Sequence, residues 1–122
     1  MTEKASILYV DDEELNLVLF KSTFEDMYSV ITANSGLKGL ETINSNPVIK
    51  AVISDMKMPS MNGIEFLSRV KDLKPDIPCY ILTGYDLNDD IAAAIKKGII
   101  TKFFRKPFNV KDIDTTIQNS LH

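Results

Sequence analysis

The chain has 122 residues, 44% of them hydrophobic and 25% charged, with five Gly and five Pro. That is enough to build one compact core without metal or disulfide staples, and the composition is neither disordered, collagenous nor repetitive. Fourteen basic against seventeen acidic residues leave a net charge of −3, which argues against general binding to nucleic acid or anionic membranes. The lone Cys79 excludes an intramolecular disulfide and a cysteine-based zinc site, and the lone His122, at the last position, removes most histidine chemistry. No apolar run approaches the ~18 residues of a membrane span, and residues 1–4 are too short and polar to lead a signal peptide. The expectation is a single cytoplasmic domain over residues 1–122.

Short apolar runs alternate with stretches of helical period. Ile7-Leu8-Tyr9-Val10 reads as a strand stopped by Asp11-Asp12-Glu13-Glu14, after which Leu17, Phe20, Phe24 and Met27 recur at helical spacing. Ser29-Val30-Ile31-Thr32 is β-branched and short, Asn34-Ser35-Gly36 punctuates it, and Leu37, Leu40 and Ile43 mark a second helix up to Asn46-Pro47. Ala51-Val52-Ile53 forms a third strand ending at Asp55. Pro59 and Asn62-Gly63 make a loop, and Ile64, Leu67 and Val70 open a helix closed by Pro75 and Pro78. Cys79-Tyr80-Ile81-Leu82 ends at Thr83-Gly84, and Leu87, Ile91 and Ala94 give a fourth helix with Gly98 placed for a left-handed cap. The fifth run, residues 102–105, is broken by Lys106-Pro107; Asn109 suits an N-cap, and Val110, Ile113 and Ile117 mark the final helix.

Five strand-helix repeats with uniformly apolar strands predict a parallel sheet covered on both faces, a doubly wound α/β fold. In such sheets ligands sit at the carboxyl ends of the strands. There the sequence places Asp11-Asp12, Asp55, Thr83 and Lys106. Crowded carboxylates repel unless a cation compensates them, and several oxygens with open water positions suit Mg²⁺. Lys106 adds a point charge and Thr83 a hydroxyl for phosphate oxygens. With histidine and cysteine chemistry remote, the nucleophiles left are the carboxylates and Thr83; Asp55, alone at its strand end, is the best placed to attack phosphorus and form an acyl phosphate.

These residues, with Asp55-Met56-Lys57-Met58-Pro59, Asn62-Gly63, Thr83-Gly84 and Phe103-Phe104-Arg105-Lys106-Pro107-Phe108, resemble a bacterial response-regulator receiver domain of two-component signalling, of the chemotaxis-regulator-like fold. The resemblance runs from Ile7 to about Leu121. It implies a flavodoxin-like strand order, 2-1-3-4-5, and makes Asp55 the acceptor of phosphate from a sensor histidine kinase or phosphotransfer protein. It places Asp12, Asp55 and the backbone carbonyl of Lys57 on Mg²⁺, with Asp11 acting mainly through water. It assigns phosphoryl oxygens to Thr83 and Lys106, makes Phe103 the switch aromatic that follows Thr83, and implies a cis Lys106–Pro107 bond. A receiver catalyses its own phosphorylation and dephosphorylation and is not an enzyme in the ordinary sense. Its readout face corresponds to residues 87–97, 101–105 and 110–121.

The metal needs only the backbone of Lys57, so its side chain is expected, with Tyr85, to set the dephosphorylation rate; a solvated lysine and a loop-packed tyrosine are the plain alternative. Phe103 and Phe104 alternate across a strand, so one of them belongs to the core. Cys79 reads as a buried small hydrophobe. A dimer in the style of winged-helix regulators is not supported, because Lys102 stands in the fifth strand and residues 110–121 hold no arginine. Two other classes share parts of the pattern. A magnesium-dependent aspartyl-phosphate phosphatase would need an acid where Lys57 stands, and a flavodoxin-like carrier would bring its phosphate against four consecutive acids. The receiver could equally be a segment of a hybrid kinase or longer regulator, serving as relay or phosphate sink.

Overall fold

In the computed structural model, which describes residues 4–84 and 88–121, strands and helices alternate throughout. In chain order these are β1 (Ser6–Val10), α1 (Glu14–Phe24), β2 (Ser29–Ala33), α2 (Gly36–Ser45), β3 (Ile49–Asp55), α3 (Gly63–Leu73), β4 (Cys79–Thr83), α4 (Asp89–Lys96), β5 (Lys102–Arg105) and α5 (Val110–Ser120). The strands form one parallel five-stranded sheet in the order β2-β1-β3-β4-β5. This is the doubly wound α/β fold that the alternation predicts, in the order the resemblance implies.

Two apolar layers flank the sheet, and strand alternation assigns residues to each. Leu8, Val10, Val52 and Ile81 pack with Ile43, Phe66, Leu67, Val70, Ile91 and Ala94 from α2, α3 and α4. Ile7, Tyr9, Ile53, Tyr80, Leu82 and Phe104 pack with Leu17, Phe20, Phe24, Ile113 and Ile117 from α1 and α5. Each such large side chain, withdrawn from water, contributes about 1.5–3 kcal/mol. Helix starts are specified locally: Ser35, Asn62, Asn88 and Asn109 each accept a backbone N–H three residues on. Each such cap is worth about 1 kcal/mol. Gly98 follows α4 at φ 79°, the left-handed conformation anticipated for it.

The structure departs from the periodic pattern in three places. The first helix stops at Phe24, leaving Met27 beyond it. The third strand begins at Ile49, because β3 is central and already pairs there with Ser6. In α2 the inward face is Gly36, Gly39 and Ile43, while Leu37 is 63% exposed. A Cβ at Gly39 would lie 2.7 Å from the Phe66 ring and 3.0 Å from Val10, so the helix lays its glycine side on the layer and turns Leu37 outward. Leu87, expected in the fourth helix, lies outside the described residues, within which α4 begins at Asp89. Among the described residues no helix is long and apolar enough to cross a membrane.

Candidate functional site

The parallel register brings the acidic residues together. Tyr9 of β1 stands opposite Ile53 of β3, so Asp11 and Asp55, two residues further on, emerge side by side on the face that packs α1 and α5. Phe104 shares that face, and Lys106, two residues after it, points back to the same spot. Its Nζ lies 3.1 Å from Asp55 Oδ1 and 3.5 Å from Asp11 Oδ2. Asp11 is fully buried; its Oδ2 also accepts the Tyr9 hydroxyl at 2.7 Å and its Oδ1 the backbone N–H of Glu13 at 3.0 Å. Asp12 is exposed, yet carboxylate oxygens of Asp11, Asp12 and Asp55 lie within 4.8 Å of one another.

Electrostatics follow from that crowding. Burial, and then the charge of Asp11, push the Asp55 carboxyl above its usual range, with the Lys106 ammonium opposing. For Lys106 burial pulls downward, but its bonds to Asp55 and Asp11 outweigh it and the ammonium is held above its ordinary value. The Lys106 ammonium bridges two of three crowded carboxylates, and such crowding favours added positive charge. Hard oxygen donors converging on one point, one buried and one open to water, are the donor set that suits Mg²⁺, so the residues fit the ion the resemblance implies.

Thr83 ends β4 and is 1% exposed; its carbonyl accepts the Lys106 N–H at 2.7 Å, tying the ends of β4 and β5 together. Phe103 stands opposite Ile81, hence on the same side of the sheet as Thr83, and is half-buried against the layer that includes α4. Phe104 is 4% exposed in the opposite layer, beside Tyr80. Lys57 is exposed on the loop after β3. Tyr85 lies outside the described residues. The Lys106–Pro107 bond is cis, as the resemblance implies. Cys79 starts β4, at the other end from the cluster, and burial raises its thiol to about 12, in keeping with an inert core residue.

The loop after β3 depends on a close approach. Gly63 donates its N–H to Met56 O at 2.8 Å, and a Cβ there would overlap the Asp55 carbonyl. The buried Ser54 hydroxyl donates to the same carbonyl at 2.8 Å. Neither Ser54 nor Tyr9 emerges from sequence reasoning as a site residue. For Tyr9 the available signal is parity: a tyrosine two positions before an acid on one strand shares its face.

An α/β sheet whose carboxyl rim gathers a hard-oxygen cation cluster under a lysine defines a class of phosphoryl-handling domain. Residues 7–118 match the family model described as the response regulator receiver domain. The chain is 34% identical over 122 residues to sporulation initiation phosphotransferase F of Bacillus subtilis, covering 99% of this chain and 95% of that protein. It is 34% identical over 119 residues to the transcriptional regulatory protein GlrR of Escherichia coli, covering 96% of this chain and 26% of that one. Among solved structures, a response regulator receiver domain protein from Clostridium thermocellum superposes with TM-score 0.89 at 36% identity, covering 95% of this chain and 93% of that one. The chemotaxis protein CheY4 of Vibrio cholerae superposes with TM-score 0.86 at 28% identity, covering 96% and 98%.

The chain belongs to the response regulator receiver domain family. It is a phosphorylatable receiver of two-component signalling. It spans about a quarter of the length of several curated relatives, in which the receiver is one segment of a longer regulator.

Proposed function

We propose that Asp55 is the phosphoacceptor. A carboxylate oxygen of Asp55 attacks the phosphorus of a phosphohistidine on a sensor kinase or phosphotransfer protein. The P–N bond breaks, the imidazole leaves with its electron pair, and an acyl phosphate remains on Asp55. Asp11, Asp12, Asp55 and the backbone carbonyl of Lys57 would hold Mg²⁺, which when bound supplies the positive charge that lets an anionic carboxylate meet an anionic phosphoryl group. Lys106, 3.1 Å from Asp55, offsets the charge of the phosphoryl oxygens, and the hydroxyl of Thr83, at the neighbouring strand end, donates to them. Lys57 and Tyr85 set the dephosphorylation rate by governing access of water.

The observation that carries the assignment is the Lys106 ammonium joining the buried Asp11 to Asp55 at neighbouring strand ends. Phosphorylation replaces the single charge of the Asp55 carboxylate with about −2 on the acyl phosphate and draws Thr83 and Lys106 inward; Phe103 then follows Thr83 and repacks the face formed by residues 87–97, 101–105 and 110–121 for a protein partner. The domain extends over residues 1–122, acts in the cytoplasm, and is a signalling module that turns over only its own phosphate. The test is intact-protein mass after incubation with Mg²⁺ and a small acyl phosphate. A phosphate-sized increase that is lost in Asp55→Ala and on chelation is the expected result. An increase that survives Asp55→Ala refutes the assignment.

A further inference from the structure

β1 carries an aromatic residue whose polar end lies inside the acidic cluster. Tyr9 is 1% exposed, and its hydroxyl donates to Asp11 Oδ2 at 2.7 Å, the shortest of the contacts described for that carboxylate. Its ring has little freedom to turn away. It stacks on Phe20 with centroids 4.1 Å apart and planes 13° from parallel, and Phe20 in turn meets Phe24 at 4.6 Å and Phe108 at 5.8 Å. A hydroxyl held this way directs a short, charge-assisted bond onto a carboxylate that has no exposure to water. It also occupies the oxygen that Lys106 approaches only to 3.5 Å, while the same ammonium sits at 3.1 Å from Asp55.

We infer that the Tyr9 hydroxyl is a positioning group for the cation site: it fixes the Asp11 carboxylate and keeps Lys106 on Asp55, so that the carboxylates are preassembled for a divalent ion. The inference rests on the proposed magnesium site and extends it to a residue behind the ligands. Partners of this kind, which orient a ligand without touching the metal, typically change affinity by about 10–100-fold when removed. A tyrosine serving only as core would affect folding and leave ion binding unchanged.

Tyr9→Phe keeps the ring and its stack and deletes only the donor. In calorimetric titration with Mg²⁺ alone, the variant is expected to bind about tenfold more weakly than wild type. The Mg²⁺ concentration for half-maximal phosphorylation by a small acyl phosphate should rise in parallel, with the maximal rate recovered at saturating Mg²⁺. That recovery is a signature a purely structural role does not produce, and melting of the metal-free variant verifies that it is folded. Equal Mg²⁺ affinity in Tyr9→Phe and in a wild type that binds the ion and is phosphorylated overturns this inference alone. A wild type that binds no Mg²⁺ overturns it together with the proposed site.

Discussion

Replacing Lys106 by Met keeps most of the side chain's length and removes the ammonium that touches both Asp11 and Asp55. The contacts are 3.1 and 3.5 Å, and at an effective dielectric of about 20 each is worth roughly 5 kcal/mol of gross attraction. Desolvation returns much of this, since the Asp11 side chain is 0%, that of Asp55 13% and that of Lys106 28% exposed. Breaking such a pair from one side leaves a buried charge uncompensated and costs about 3–5 kcal/mol; the partial exposure of Lys106 favours the lower end. With an unfolding entropy near 2.1 cal/mol/K per residue, a loss of about 3 kcal/mol lowers the Tm of the metal-free protein by roughly 10 °C.

The same substitution should be far milder with Mg²⁺ present, because the ion supplies the missing positive charge. If the loss shrinks to about 1 kcal/mol, closure of the thermodynamic cycle requires Mg²⁺ to bind the variant some 30-fold more tightly, about 2 kcal/mol. Urea unfolding of both proteins in chelator and in saturating Mg²⁺ measures two sides of the cycle, and calorimetric titration the others. Equal losses in the two conditions, with unchanged Mg²⁺ affinity, would show that Lys106 is not coupled to a cation at the acidic cluster.

Three further substitutions probe the site and its surroundings. Burial and the charge of Asp11 raise the Asp55 carboxyl, so the folded chain holds that proton more tightly than the unfolded one; stability of the metal-free protein should fall as pH rises from near 3.8 through the raised value and level off above it. Asp55→Asn should flatten that slope in denaturant titrations across the acid range and leave the variant more stable than wild type at neutral pH, and an unchanged slope contradicts the electrostatics. Phe104→Ala, at a position 4% exposed, should cost about 3–5 kcal/mol in urea unfolding. Phe103→Ala, half-buried, should cost about half of that and leave phosphorylation of Asp55 intact.

The fold was legible because the alternation of short apolar runs with helical spacing admits few architectures once strands must be parallel and covered on both sides. The site is legible for a related reason: residues that end successive parallel strands share one rim, which groups Asp11, Asp55, Thr83 and Lys106. Side-chain encounters within that frame were less accessible. Periodicity puts Phe103 and Phe104 on opposite faces without saying which face holds which helices; the packing of Phe104 with Tyr80, Ile113 and Ile117 decides it. Leu37 fits a helical stripe as well as Gly39 does, and only the Phe66 ring above Gly39 shows why the smaller residue is turned inward. Tyr9 reads as one more apolar strand residue until its hydroxyl is found on Asp11.

The ionised Asp55 carboxylate opposes the stability of the fold that carries it, and the same crowding favours a cation. Asp11 and Asp55 are held close enough to raise the Asp55 carboxyl, so any added positive charge at this rim is favoured more strongly than at a solvated carboxylate pair. Lys106 supplies part of that charge from a chain segment with a second attachment, its N–H bonded to the Thr83 carbonyl at 2.7 Å. A shift of the ammonium toward the phosphate proposed on Asp55 would therefore act on the ends of β4 and β5 together. Thr83 and Phe103 lie on the same side of those two strands, facing the layer that includes α4. Local charge chemistry at one strand end would in this way reach, through one backbone hydrogen bond and one half-buried ring, the surface proposed to meet a partner.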